Sequence, residues 1–306
     1  MARARTSGAA APEARVPGTG PAYRLVPWLV GALWAALPFT AGPALADALH
    51  GAGGPVRMLA STGLWAGWAA AMVAAAIPHP VALTALRTLA PAAVAAAVAS
   101  AAAGHGTPLA VGWAVVVLAW VFSPAVGARC VNGPAYPNER RYLLRAPGPL
   151  LFGPLPLAWA LAVAGVCAGP LLLAARRWVL GGVCLVIGVP LAVVLVRSIH
   201  NLSRRWAVFV PAGFVLHDPL ALLDPILFTR RTVTTMRPAT VGEGLDLTQG
   251  APGLALELVV GEPVSLTLMK PGRRQGTPES ATRIVFTPTR PGAVMDEARS
   301  RHIRVG

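Results

Sequence analysis

The residues best suited to chemistry in this chain are arginines set side by side. Arg140-Arg141, Arg204-Arg205, Arg230-Arg231 and Arg273-Arg274 each join two guanidinium groups. A guanidinium offers a planar fork of donors that grips phosphate or carboxylate oxygens two at a time. If Arg204-Arg205, Arg230-Arg231 and Arg273-Arg274 converged on one rim, they could clamp the phosphate of an anionic headgroup. The competing reading makes Arg204-Arg205 an electrostatic anchor on a membrane surface and the others solvated turns. Arg140, Arg141 and Arg145 lie in a basic stretch that could attract headgroups in the same way or do no more than set orientation. Arg140, Arg141, Arg145, Arg204, Arg205, Arg230 and Arg231 are therefore the candidate lipid or partner contacts.

Other reactive side chains are placed poorly for catalysis. His217 and Asp218 are adjacent, and neighbours on a strand point to opposite faces. Ser61, Ser100 and Ser123 are isolated, and Cys130, Cys167 and Cys184 lack CxxC spacing. His79, His105 and His200 sit at the ends of apolar runs, and the first two fall on opposite sides of a membrane. There is no HExxH, GxSxG or Walker A sequence. The expectation is a non-enzymatic protein with no catalytic residue, metal or cofactor. A membrane enzyme acting on lipid-linked substrates through the Cys130–Arg145 loop is a weaker reading.

The elements that must position these residues follow from composition. Charged residues make up 12% of 306, against about 25% in soluble proteins, and mean hydropathy is +0.60. Residues 1–196 hold three of the 12 acids, Glu13, Asp47 and Glu139. The net charge of +14 could suggest nucleic acid, but many arginines flank apolar runs, where they set membrane orientation. No nucleic-acid partner is expected.

A spanning helix needs about 20 apolar residues. Six segments qualify: Leu25–Leu45, Met58–Ile77, Val81–Ala103, Leu109–Val126, Leu150–Ala174 and Trp178–Val196. Pro78 and Pro80 predict a tight hairpin between the second and third. Ala44-Leu45-Ala46 also resembles a signal-peptidase site, which would leave five spans. Arginine counting favours both termini in the cytoplasm of a cell with an inner membrane. Arg129, Arg140, Arg141, Arg145, Arg197, Arg204 and Arg205 would be inside, and Arg57, Arg176 and Arg177 outside. Arg87 is the one charge near a span interior. A transporter needs ionisable residues near the midplane, and here no acid lies in a helix core. A small transporter or channel with a regulatory tail remains the alternative, and a polar cavity around Arg87 would mark it.

Residues 1–24 read as a disordered basic tail, 25–196 as the helical part, 197–205 as a basic linker and 206–306 as a β domain. Trp206–Val210 and Phe214–Asp218 predict a hairpin around Pro211-Ala212-Gly213. Further strands are expected at Phe228–Met236, Leu245–Thr248, Leu254–Val260, Val264–Met269 and Arg283–Thr287, with a turn at Gly261-Glu262-Pro263. A helix is expected over Pro291–Ile303. The basic run Glu139–Arg145 could form a short amphipathic helix on the membrane surface.

The runs RRWAVFVPAGFVLHD, RRTVTTMRP and FTPTRPGAVMDEA resemble bacterial PH-like domains. The whole chain is also similar to uncharacterised multi-pass membrane proteins of actinobacteria. The resemblance implies about six transmembrane helices followed by a small, mostly β PH-like domain of about seven strands and a C-terminal helix. The expected partners are the bilayer, with its anionic headgroups, and an unidentified protein.

Overall fold

The computed structural model describes residues 21–240, 242–269 and 276–306. Arg273, Arg274 and the tail up to residue 20 lie outside them.

Most of the described helices begin where the sequence supplies a proline in the first turn, whose missing N–H costs nothing there. The first apolar run is interrupted at Ala36 and Ala41, each two residues before a proline, into α1 (Pro21–Ala35), α2 (Leu37–Thr40) and α3 (Gly42–His50). Next come α4 (Gly54–Ala76), α5 (Pro80–Ala102), α6 (Pro108–Val121) and α7 (Pro124–Asn132). His79, Thr107 and Ser123 cap α5, α6 and α7 by accepting from backbone N–H groups of the first turn. Beyond β1 (Arg140–Leu143) and the single turn α8 (Gly148–Leu151) lie α9 (Pro154–Ala174) and α10 (Trp178–Leu202). Among the described residues five stretches are long and apolar enough to cross a membrane, and a sixth is if α6 and α7, bent by 49° across a short break, count as one span.

Indole N–H groups tie the bundle together. Trp68 donates to the Trp34 carbonyl at 3.0 Å, Trp113 to Leu33 at 2.9 Å and Trp159 to Thr88 at 2.8 Å. The core between these helices is built of small residues, with Ala71, Ala90, Ala97 and Ala114 fully buried beside Leu83, Leu86 and Val117. α9 and α10 approach through glycines. A Cβ on Gly165 would lie 2.4 Å from the Gly188 carbonyl oxygen, and one on Gly188 would lie 2.7 Å from that of Gly165. Such close backbone approach is how small residues hold helices together in lipid. The outer side of this hairpin leaves Val179, Val186 and Ile187 exposed.

The remaining strands are β2 (Trp206–Val210), β3 (Gly213–His217), β4 (Ile226–Thr229), β5 (Val233–Pro238), β6 (Leu245–Asp246), β7 (Leu256–Leu268) and β8 (Thr277–Phe286), with α11 (Pro291–Ser300) last. They make two four-stranded sheets, ordered β1-β2-β3-β4 and β5-β7-β8-β6. Between them lie Phe209, Phe214, Phe228, Met236, Leu258, Ile284 and Phe286, closed over by Val294 and Ala298 of α11. A helical part followed by a β unit with a final helix is thus present.

Four local expectations are corrected. Glu139–Arg145 is not an amphipathic helix: its centre is strand β1, antiparallel to β2 with Leu143 opposite Trp206. Of the expected basic linker 197–205, residues 197–202 are the last turns of α10. Phe228–Met236 is not one strand, because a turn closed by Thr232 N–H donating to the Thr229 carbonyl at 3.1 Å sends its halves to different sheets. Gly261-Glu262-Pro263 is not a turn between strands. It is an irregularity within β7, the kind of break that admits a proline in a sheet.

Candidate functional site

The strands nearest the helices alternate between two cores, and this creates the candidate site. Leu143 is 3% exposed and packs into the helical core, with its Cδ2 3.2 Å from where a Cβ on Gly127 would stand. Its neighbours Tyr142 and Leu144 point the other way, into the β core. The side chain of Asn132, in the last turn of α7, receives the Arg141 N–H at 2.9 Å and donates to the Arg141 carbonyl at 2.8 Å. Leu144 N–H donates to the Arg205 carbonyl, Thr289 N–H to that of Leu143 and Arg145 N–H to that of Thr287. β1 is therefore held by α7, β2 and residues 287–289 at once.

The same end of the bundle gathers the start of α5. Arg129 donates to the carbonyls of Ala75 and Ala76, each at 3.0 Å, satisfying the end of α4. Thr84 Oγ1 lies 2.7 Å from His200 Nδ1 and 3.3 Å from Ser203 Oγ. Between these groups an open cleft of about 320 Å³ runs from His79 and His200 past Tyr136 to Arg141, Arg204 and Trp206.

Trp206 is the platform of this cleft. Its N–H donates to the Ser203 carbonyl at 2.8 Å, the Arg141 guanidinium carbon lies 4.8 Å from its ring centroid, and the His217 ring lies 5.4 Å away. Arg141 is held in turn by Glu139, at 2.8 and 3.1 Å. Burial raises the Glu139 carboxyl. The Arg141 hydrogen bond and the Tyr136 backbone N–H outweigh it and hold the acid below the usual range. Burial depresses His217, and Arg204 and Arg141 add to it while Asp218 opposes, so the imidazole stays below its ordinary value. Burial also pushes the Tyr142 phenol up, so it stays protonated.

The candidate arginines do not act as one group. Arg204 is exposed and lines the cleft with the half-buried Arg141, and Arg140 lies one residue back on β1. Arg205 is the clear correction. It is 1% exposed and paired with Asp218, so its guanidinium is closed to lipid or partner. Arg145 Nε is buried with no hydrogen-bond partner among the described residues, and the side chain packs against Gly253. Arg230 and Arg231 are exposed in the turn after β4, next to the β2–β3 turn, whereas Arg204 sits at the opposite end of that hairpin. The pairs at 204–205 and 230–231 therefore do not converge on one rim, and Arg273-Arg274 lies outside the described residues.

His217 and Asp218 separate as expected, one beside Trp206 and the other buried on Arg205. Sequence reasoning missed the Arg205–Asp218 pair, yet the signal was present. In the hairpin register Trp206 faces His217, so the next pair outward is Arg205 and Asp218. Cys130 is fully buried in the helical core. Among the described residues, no three His, Cys, Asp or Glu side chains meet as a metal would need. Arg87 lies on α5 over the Phe122 ring, with buried Leu83, Leu86 and Ala90 on the adjacent turns.

No family model matches the chain, and neither does any curated protein or solved structure.

Proposed function

We propose that this is a non-enzymatic, multi-pass protein of a bacterial inner membrane. In this reading both termini are cytoplasmic, and a PH-like β unit is held at the inner surface to bind a protein partner. The observation that carries the reading is the split of β1. Leu143 is buried among helices while Tyr142 and Leu144 are buried among strands, so the β unit is built onto the bundle. Burying one such leucine contributes about 1.5–3 kcal/mol, which favours a fixed orientation over a swinging tether. Two sheets closed by a C-terminal helix suit a PH-like unit. The orientation rests on the arginines: Arg129, Arg140, Arg141, Arg145, Arg197 and Arg204 cluster at the β end, against Arg57, Arg176 and Arg177 at helix ends away from it.

The surface offered to a partner is the β4 edge. Among the described residues β4 pairs only with β3, and Leu227 on it and Leu223 just before it are 46% and 45% exposed. An open edge with exposed apolar side chains accepts an added strand. A photo-crosslinking residue at Leu227 of the full chain, in cells, should trap one protein of defined mass. That adduct should disappear when Leu223 is changed to Glu. Absence of any protein adduct at Leu227, with the chain folded and inserted, overturns the reading.

A further inference from the structure

We propose that Arg87 binds the phosphate of an anionic phospholipid in the notch where α6 breaks into α7. The inference is independent of whether the β unit binds a partner. It starts from an unneutralised charge. A buried cation needs an anion or a full set of acceptors. Arg87 Nε is buried without a hydrogen-bond partner among the described residues, and no carboxylate among them lies within ion-pair distance of its guanidinium. Before Asp218 the described acids are Asp47, next to His50 at the end of α3, and Glu139, which is occupied by Arg141. The described residues supply no counter-charge at this place.

One neighbour of Arg87 faces outward. Its guanidinium carbon stands 5.4 Å from the centroid of Phe122, a ring that is 46% exposed at the break between the two helices. That cation–π contact fixes the group without neutralising it. On the other side a Cβ on Gly127 would come within 3.4 Å of Nη2, so glycine lets α7 pass close by. Arg87 is seven residues beyond Pro80, hence about 10 Å along α5 from the bundle end that carries the β unit. From there a long side chain reaches headgroup depth. A guanidinium at headgroup depth, flanked by a lipid-facing phenylalanine, fits a phosphodiester whose acyl chains lie along α6. Basic notches between spanning helices hold anionic headgroups in this way, and the arginine fork suits two phosphate oxygens.

The test uses the full chain purified in detergent, with thermal unfolding followed against phosphatidylglycerol, phosphatidylcholine and inorganic phosphate. Phosphatidylglycerol should raise the melting temperature, while the other two should leave it unchanged. Arg87→Gln should weaken phosphatidylglycerol binding about tenfold or more, the factor one charge-assisted contact supplies, and Arg87→Lys should keep part of it. An equal response to both lipids overturns the proposal. So does full retention of the phosphatidylglycerol response by Arg87→Gln. A response to inorganic phosphate as large as that to phosphatidylglycerol assigns the site to a free anion and overturns the lipid. If Arg87→Gln does not fold, native mass spectrometry of the parent protein in an equimolar lipid mixture decides. Preferential retention of phosphatidylglycerol supports the proposal, and indifference ends it.

Discussion

Arg205 and Asp218 meet in a two-point ion pair inside the β unit. Nε lies 2.8 Å from Oδ1, Nη2 lies 2.6 Å from Oδ2, and each side chain is 1% exposed. Nη1 donates to the Arg145 carbonyl at 2.7 Å, and the Leu220 N–H donates to Asp218 Oδ1 at 3.1 Å. The pair joins the base of the β2–β3 hairpin to the chain leaving β1, next to the helical bundle.

Removing one partner strands the other without solvent. Asp218→Ala is expected to cost about 3–5 kcal/mol. The double change Arg205→Met with Asp218→Leu should recover much of that, since neither charge then remains. Thermal unfolding of the purified chain reads both, and an Asp218→Ala protein that melts with the parent would contradict the burial argument.

Leu143→Ala removes a buried side chain between two cores and should destabilise by about 2–5 kcal/mol. Its signature is spatial. Hydrogen exchange should rise in both α7 and β1, whereas Phe228→Ala, in the β core alone, should leave α7 protected.

The glycine seam predicts a graded series. Gly165→Ala and Gly188→Ala each place a methyl group within 3 Å of the facing carbonyl oxygen, so α9 and α10 must separate. Gly182→Ala is the control, because nothing lies within 4 Å of its added carbon, and it should be silent or slightly stabilising. The amount of folded protein recovered from membranes orders the three.

His217 gives the junction an acid sensitivity. Burial and Arg204 hold its folded value below the ordinary value of about 6.5, so the unfolded chain takes up the proton first. Stability from this group is complete above about pH 6.5 and falls as pH drops through the folded value. Glu139 shifts downward too, but as an acid its contribution is lost only below the ordinary range of about 4.3. Melting temperature between pH 7 and 5, an illustrative window for histidine titration, should decline in the parent and decline less steeply in His217→Gln.

The helical runs and most strands were legible because their periods are local. Val264, Leu266 and Leu268 alternate with Ser265 and Thr267, and they lie in β7. The hairpin turn at Pro211-Ala212-Gly213 was legible because Gly213, at φ +156, packs so tightly on β4 that a Cβ would sit 2.1 Å from the Phe228 carbonyl oxygen. β1 was not legible. Four residues beginning with two arginines carry no apolar rhythm, and they become a strand through partners at 206–209 and 287–289 far along the chain. Arg205 was misread for the opposite reason. Beside Arg204 it looks like one more surface charge, and only the hairpin register separates the two. The end of α10 was masked by polarity, since a helix leaving lipid keeps its backbone bonds while its side chains turn hydrophilic.

β1 also sets an order of assembly. The ribosome delivers this strand before the hairpin of α9 and α10, and its neighbour β2 only after that hairpin. If the apolar helices insert into a membrane as proposed, the strand waits with its edge uncovered until both have entered, and the second layer has nothing to close on. On that reading, maturation of the β unit is conditional on completed insertion, and a chain arrested halfway would display an unfinished sheet.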